Sequence, residues 1–178
     1  MISNMDPSYP IGRFEWPKSV DAAARDESLR QMAAAPGLFR EAVRDLDDAQ
    51  LDTPYRPDGW TVRQVIHHVA DSHMNAYVRF RLALTEDEPT IKPYDQAAWA
   101  ELADARCAPV EISLSLLDSM HQRWVALARS LPEAAFARAF FHPELGRVLL
   151  GPNLAMYAWH GRHHAAHITG LRERMGWK

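Results

Sequence analysis

The sequence has little cysteine, no surplus of basic residues and no long apolar run, and each shortage excludes a class of protein. Cys107 is the single cysteine in 178 residues, so neither an internal disulfide nor a cysteine zinc finger can form. This favours a reducing compartment. Lysine and arginine number 20 against 23 acidic residues, with no dense basic block, which argues against a nucleic-acid-binding protein. No apolar stretch approaches the roughly 18 residues of a membrane-spanning helix. Residues 1–20 also lack the basic start and apolar run of a signal peptide. We therefore predict a cytoplasmic protein that binds neither nucleic acid nor membrane.

What remains is the composition of an ordinary globular protein, with 47% hydrophobic and 24% charged residues. The length predicts a single domain over residues 1–178. Residues 1–20 contain three prolines and scattered aromatic residues, and we expect an extended arm packed on the surface.

Four segments carry apolar residues at helical spacing, at about 21–48, 61–84, 110–130 and 151–175. Pro36 and Gly37 predict a kink or a division into two helices in the first segment. Thr61 and Gln64 form a capping box at the start of the second, and Gly176 suits the end of the last. A short helix is expected near residues 96–103, and a small hairpin or ordered loop over 137–150. The predicted fold class is all-α, an antiparallel four-helix bundle with a short extra helix and a possible small hairpin.

Seven of the nine histidines fall in two short stretches, one on the second and one on the fourth long helix. They are His67, His68 and His73, then His160, His163, His164 and His167. At about 100° per residue, the four histidines of the second stretch lie on one stripe about 100° wide. Such a stripe can direct several imidazoles at one metal ion.

Helical spacing leaves the choice of ligands open. His160 with His164 and His163 with His167 are both i,i+4 pairs. A third ligand is expected from the other histidine helix, because helical bundles build metal sites from facing helices. Periodicity alone favours His73 for this role. Three imidazoles with one open position are typical of a catalytic site. His121 and His142 are isolated in the sequence, and we interpret both as ordinary hydrogen-bonded or surface residues.

Several segments resemble the DinB/YfiT superfamily, and the resemblance spans nearly the whole chain. The most specific are W-T-V-R-Q-V-I-H-H-V-A-D-S at residues 60–72 and H-G-R-H-H-A-A-H-I at 160–168. Others are S-Y-P-I-G at 8–12, L-D-T-P-Y-R at 51–56, K-P-Y-D at 92–95 and R-M-G-W at 174–177. The match is nearest to the YfiT branch, whose members are provisionally described as metal-dependent hydrolases.

The resemblance implies a DinB-type four-helix bundle, a zinc or nickel ion and a cytoplasmic homodimer. Residue by residue, it places the metal ligands at His68, His160 and His164. His167 stands where many relatives have glutamine. His73, His163, His167 and Asp71 are left as neighbours of the ligands, as substitutes for them or as proton carriers, with no order among them.

Three functions follow as hypotheses. The first is a metal-dependent hydrolase that acts on a small-molecule substrate with an activated water. The second is transfer of a low-molecular-weight thiol of the bacillithiol type, in which the metal stabilises the thiolate. The third is a metal-binding stress protein without enzymatic activity.

Overall fold

A computed structural model describes residues 6–177 and is mainly helical. The helices are α1 (Ala22–Ala42), α2 (Asp48–Leu51), α3 (Val62–Thr85), α4 (Gln96–Ala100), α5 (Ala103–Cys107), α6 (Val110–Arg129) and α7 (Leu150–Met175). A short 3-10 helix covers Glu133–Ala137, and the strands are β1 (Ala139–His142) and β2 (Gly146–Leu149).

Local signals in the sequence set most helix ends. The Asp21 carboxylate accepts a hydrogen bond from the amide of Ala24 at the start of α1. Thr61 and Gln64 form the predicted capping box of α3. Gly176 ends α7 with φ of 67°, a left-handed conformation that glycine adopts without strain. The first segment differs from one alternative, because α1 continues through Pro36 as one helix.

The four long helices form the predicted bundle, and contacts between them give their directions. Helices α1 and α7 run the same way, since the Arg172 guanidinium near the end of α7 donates to the carbonyl of Ala42 at the end of α1. Helices α3 and α6 are also parallel, with His67 beside Ser113 near their starts. Helices α3 and α7 are antiparallel, because His68 near the start of α3 lies beside His164 late in α7. The order is therefore up, down, down, up, which differs from simple antiparallel alternation because α3 and α6, consecutive among the long helices, are parallel.

The bundle interior has an apolar cluster at each end and a layer of histidines between them. One cluster contains Phe80, Trp124 and Leu154, and the other contains Val65 and Leu117. Burial of these side chains is the main stabilising contribution to folding. The two clusters exclude water from both sides of the histidine layer.

The chain outside the long helices covers one side of this layer. Strands β1 and β2 form the predicted hairpin, and Ile91 of the preceding loop donates its amide to the carbonyl of Phe141. The predicted arm falls partly outside the described residues, which begin at residue 6. Its described part forms turns and packs on α7, with Phe14 against Trp159.

Arg63 holds the segment between α1 and α3, residues 43–61, against the bundle through hydrogen bonds. Its guanidinium is 5% exposed and donates to the carboxylates of Asp52 and Asp48, at 2.6 and 2.8 Å, and to the carbonyl of Ala108. The arginine thus holds the start of α3, the helix that carries the first histidine stretch. No helix in residues 6–177 is both long and apolar enough to cross a membrane.

Candidate metal centre

Three histidines from two helices converge inside the bundle. One ring nitrogen from each of His68, His160 and His164 lies within 4.8 Å of the others. Nε2 of His160 and Nε2 of His164 are 3.2 Å apart, and the ring of His68 lies 4.9 Å from that of His164, centre to centre. Helix α7 supplies two rings one turn apart, and α3 supplies the third from across the bundle.

These nitrogens fit a divalent metal ion such as zinc. Two nitrogens that share a tetrahedral zinc ion, each about 2.05 Å from it, lie roughly 3.3 Å apart. The 3.2 Å between the Nε2 atoms of His160 and His164 matches this separation. Burial lowers the pKa of His68 to about 4, and burial with the neighbouring rings lowers the pKa of His160 and of His164 well below the ordinary value. All three imidazoles are therefore neutral at pH 7, which is the form that binds metals.

His73, the residue favoured by periodicity, lies beside the three rings and not among them. Its Nε2 is 3.1 Å from Nδ1 of His160, and its Nδ1 is 2.8 Å from Nε2 of His121. The side chain is fully buried. The apolar stripe of α3 pointed correctly to an interior position, but α3 has two interior neighbours, α6 and α7, and the stripe faces both.

His121 is hydrogen-bonded to His73 and to the backbone of α1, which its isolated position in the sequence did not indicate. Its ring is 1% exposed, and its Nδ1 lies 2.6 Å from the carbonyl oxygen of Met32 in α1. The ring is hydrogen-bonded, as an ordinary helical histidine would be, and the structure adds that it belongs to the buried histidine layer. The available signal was its place on the apolar stripe of α6, between Leu117 and Trp124.

The remaining histidines of α7 lie under the N-terminal arm. The ring of His163 stacks on Trp159 at 4.3 Å, and that of His167 stacks on Tyr55 at 4.2 Å. Nδ1 of His167 is 3.3 Å from Nδ1 of His164, while its Nε2 is 3.4 Å from the carbonyl oxygen of Ser8. Burial lowers the pKa of both His163 and His167 to about 4.

Asp71 is half-buried on α3, and the structure does not bring it to the three rings. Among residues 6–177, its carboxylate makes no hydrogen bond to a histidine. Burial, with the nearby charge of Asp104, raises the pKa of Asp71 to about 6.

A cavity of about 700 Å³ opens beside the three-histidine cluster. His160 belongs to both, since its ring lines the cavity and takes part in the cluster. The rest of the wall comes from the N-terminal arm at Trp16, α3, the loop before α4 and its first residue, the β1–β2 hairpin and the first turns of α7. Its polar members are Ser72, Arg79, Tyr94, Asp95, Gln96, His142, Glu144, Asn153 and Tyr157, besides His160.

Two of these side chains have unused capacity for a ligand. The Arg79 guanidinium donates one hydrogen bond to the carbonyl of Lys92 and is the one cationic side chain among the described lining residues. Asn153 is 4% exposed, and its Oδ1 has no hydrogen-bond partner in the described part of the chain. A buried carbonyl oxygen without a partner carries an unfavourable free energy that a ligand N–H or O–H would relieve.

Residues 31–168 match the family model of the DinB superfamily, and the chain belongs to that superfamily. The family and the four-helix bundle, both expected from the sequence motifs, are thereby confirmed.

Several relatives are similar along their whole length. Proteins from Bacillus mycoides (strain KBAB4) and Bacillus cereus (strain B4264) are each 52% identical over 172 residues, covering 97% of this chain and 99% of the relative. Both are provisionally named metal-dependent hydrolases. The solved structure of YfiT from Bacillus subtilis, described as a probable metal-dependent hydrolase with an unusual four-helix bundle topology, is 47% identical. It superposes with a TM-score of 0.95, over 98% of this chain and all of that one. TT2238, a four-helix bundle protein at 22% identity and a TM-score of 0.56, shares the fold.

Proposed function

We propose that the protein is a metal-dependent hydrolase that holds one zinc or nickel ion through His68, His160 and His164. The observation that carries this proposal is the convergence of three neutral imidazoles, of which His68 and His164 are buried and His160 is partly buried, with no carboxylate or thiolate grouped with them in residues 6–177. Three imidazoles and an open position are typical of catalytic zinc sites, whereas structural sites are closed by a fourth protein ligand. The provisional names of the Bacillus relatives support the same class of reaction.

A metal ion at this position supplies Lewis acidity toward a carbonyl or phosphoryl oxygen and makes water a nucleophile near neutral pH. The protein's own residues determine where a substrate lies relative to the histidine cluster. Because His160 belongs to both the cluster and the cavity wall, a small molecule that fills the cavity lies against the edge of the cluster at His160. The apolar clusters on both sides exclude bulk water, which strengthens electrostatic interactions within the site.

Arg79 and Asn153 favour a small molecule that bears an anionic group together with a hydrogen-bond donor, placed away from the exposed carboxylates of Asp95 and Glu144 at the cavity wall. The guanidinium of Arg79 pairs well with a carboxylate or phosphate. The carbonyl oxygen of Asn153 accepts from an N–H or O–H of the same molecule. Nδ1 of His142 accepts from the amide of Glu144 at 3.2 Å, so its neutral ring carries a hydrogen on Nε2 that can donate a hydrogen bond to an oxygen of the substrate.

The test is a panel of esters, amides and phosphoesters given to zinc-loaded and nickel-loaded protein, each substrate made with and without a carboxylate. We expect hydrolysis, preference for the carboxylated member of a pair, and loss of that preference in Arg79→Met. Arg81→Met is the matched control, since Arg81 is exposed on the same helix and does not line the cavity. A loaded protein that hydrolyses no member of the panel contradicts the proposal.

The same assay separates the two alternatives. Turnover only when a low-molecular-weight thiol and an electrophile are supplied together identifies a thiol transferase. Tight metal binding with neither activity leaves the non-enzymatic metal-binding protein. The homodimer implied by the resemblance stays a prediction, for which sedimentation measurements give the mass in solution.

A further inference from the structure

The histidine layer contains a chain of hydrogen bonds that begins at a backbone carbonyl and ends at one of the three converging rings. The chain runs from the carbonyl oxygen of Met32 to His121, then to His73 and then to His160. The successive separations are 2.6, 2.8 and 3.1 Å. Three helices besides α7 contribute to it, since Met32 lies on α1, His73 on α3 and His121 on α6.

The carbonyl at the start is available because of a proline. In an α-helix, the carbonyl of residue 32 accepts from the amide of residue 36. Residue 36 is proline, which has no amide hydrogen, so α1 leaves the Met32 carbonyl without its regular donor. Nδ1 of His121 fills that position.

The starting carbonyl determines the direction of every hydrogen bond that follows. A carbonyl oxygen only accepts, so Nδ1 of His121 carries the proton and its Nε2, in a neutral ring, accepts. Nδ1 of His73 is therefore the next donor, and its Nε2 accepts from Nδ1 of His160. The last ring is left with its Nε2 lone pair bare, and Nε2 is the atom that faces His164.

A second, shorter chain has the same construction. The carbonyl of Ser8 accepts from Nε2 of His167, at 3.4 Å, so Nδ1 of His167 accepts from Nδ1 of His164, at 3.3 Å. The Nε2 lone pair of His164 is then bare as well. The two ligands that α7 supplies are thus oriented by separate chains, one through the bundle core and one through the N-terminal arm.

We propose that His121 and His73, together with His167, are positioning residues that fix the tautomers of His160 and His164 so that both present Nε2 to a metal ion. This inference rests on the proposed metal centre for its purpose, but the tautomers belong to the protein alone. Hydrogen-bonded partners behind metal-binding histidines hold ring orientation and tautomer, and their loss typically weakens metal binding by about 10- to 100-fold.

The first experiment reads the tautomers of the metal-free protein by nitrogen-15 NMR of labelled histidine rings. We expect the proton on Nδ1 in His121, His73, His160 and His164, and on Nε2 in His167. The pattern is mixed because the Met32 carbonyl contacts Nδ1 of His121, whereas the Ser8 carbonyl contacts Nε2 of His167. A proton on Nε2 of His73 or His121 overturns the proposal, whether or not the protein binds a metal.

The second experiment measures zinc affinity by competition with a chromophoric chelator. His121→Phe removes both hydrogen bonds of that ring, and we expect the zinc Kd to rise by about 10- to 100-fold. His121→Gln retains a donor and an acceptor on one side chain and is expected to recover much of the loss. The matched control is His67→Phe, which removes a buried histidine on α3. Its ring contacts Ser113 and the carbonyl of Ala108 and takes no part in either chain of hydrogen bonds. Equal affinity in His121→Phe and His67→Phe overturns the proposal. A wild type with the expected tautomers and no affinity for zinc or nickel contradicts the proposed metal centre instead.

Discussion

Acidification should destabilise the metal-free protein strongly, because its buried histidines are neutral when folded and accept protons when unfolded. His68, His163 and His167 have pKa values near 4 in the folded protein against an ordinary value of 6.5. Since the folded pKa is the lower one, the unfolded chain binds more protons below pH 6.5. The free energy of unfolding is then at its full value above about pH 7 and falls as the pH drops from 6.5 toward 4.

The size of the loss follows from these pKa values. A histidine whose pKa is 6.5 in the unfolded chain and about 4 in the folded protein lowers the free energy of unfolding at pH 5 by about 2 kcal/mol relative to pH 8. Three such residues together lower the free energy of unfolding by about 6 kcal/mol, and Asp71, whose pKa is about 6 in the folded protein, offsets about 1 kcal/mol of this loss. A domain of ordinary stability unfolds with about 5–15 kcal/mol, so the predicted loss is a large part of the total.

The assay is urea unfolding followed by tryptophan fluorescence between pH 8 and pH 5, with a chelator present. His167→Gln is the informative variant, because it removes one titrating ring and should reduce the pH-dependent loss by about 2 kcal/mol. A free energy of unfolding that is equal at pH 8 and pH 5 refutes the neutral, buried histidine layer on which the metal centre depends.

Three further substitutions test particular contacts. Arg63→Met should lower the free energy of unfolding by about 2 kcal/mol in urea unfolding, because it removes the charged hydrogen bonds of a buried guanidinium to two carboxylates. The loss is moderate because the carboxylates can return to water. An unchanged midpoint would refute the anchoring role. Gly161→Val should cost about 1–3 kcal/mol in thermal unfolding, because even a Cβ atom there lies 3.3 Å from that of Ala35 on the facing helix. Pro36→Ala supplies an amide that competes with His121 for the Met32 carbonyl, and it should weaken zinc binding in the chelator assay. Unchanged zinc affinity in Pro36→Ala would contradict the link from the proline to the histidine chain.

The parts of the fold that depend on neighbours in sequence were predictable. The capping box at Thr61, the stop at Gly176 and the hairpin after residue 137 are local, and the structure contains all three. The directions of the helices were not, because they depend on which faces meet across the bundle. Pro36 shows the limit of a local rule. The proline removes one hydrogen bond, but packing of Met32 and Phe39 in the interior keeps the helix continuous.

The site divides in the same way. Helical spacing predicted that the histidines of α7 share one face. It could not choose His68 over His73, because both lie on buried faces of α3. The family motif pointed to His68, and the structure places that ring beside His160 and His164. No family motif pointed to the cavity or to His121, for which the apolar stripe of α6 was the one available signal. The cavity wall combines loop, hairpin and helix residues that only the tertiary fold brings together.

The most direct test of the account is the metal content of the purified protein after incubation with zinc or nickel and removal of the excess. Elemental analysis should find about one equivalent in the wild type and in His67→Ala, where a buried histidine outside the cluster is removed. It should find far less in His164→Ala, which lacks one of the three converging nitrogens. A wild type that retains neither metal, or a His164→Ala variant that retains as much as His67→Ala, would contradict the three-histidine centre.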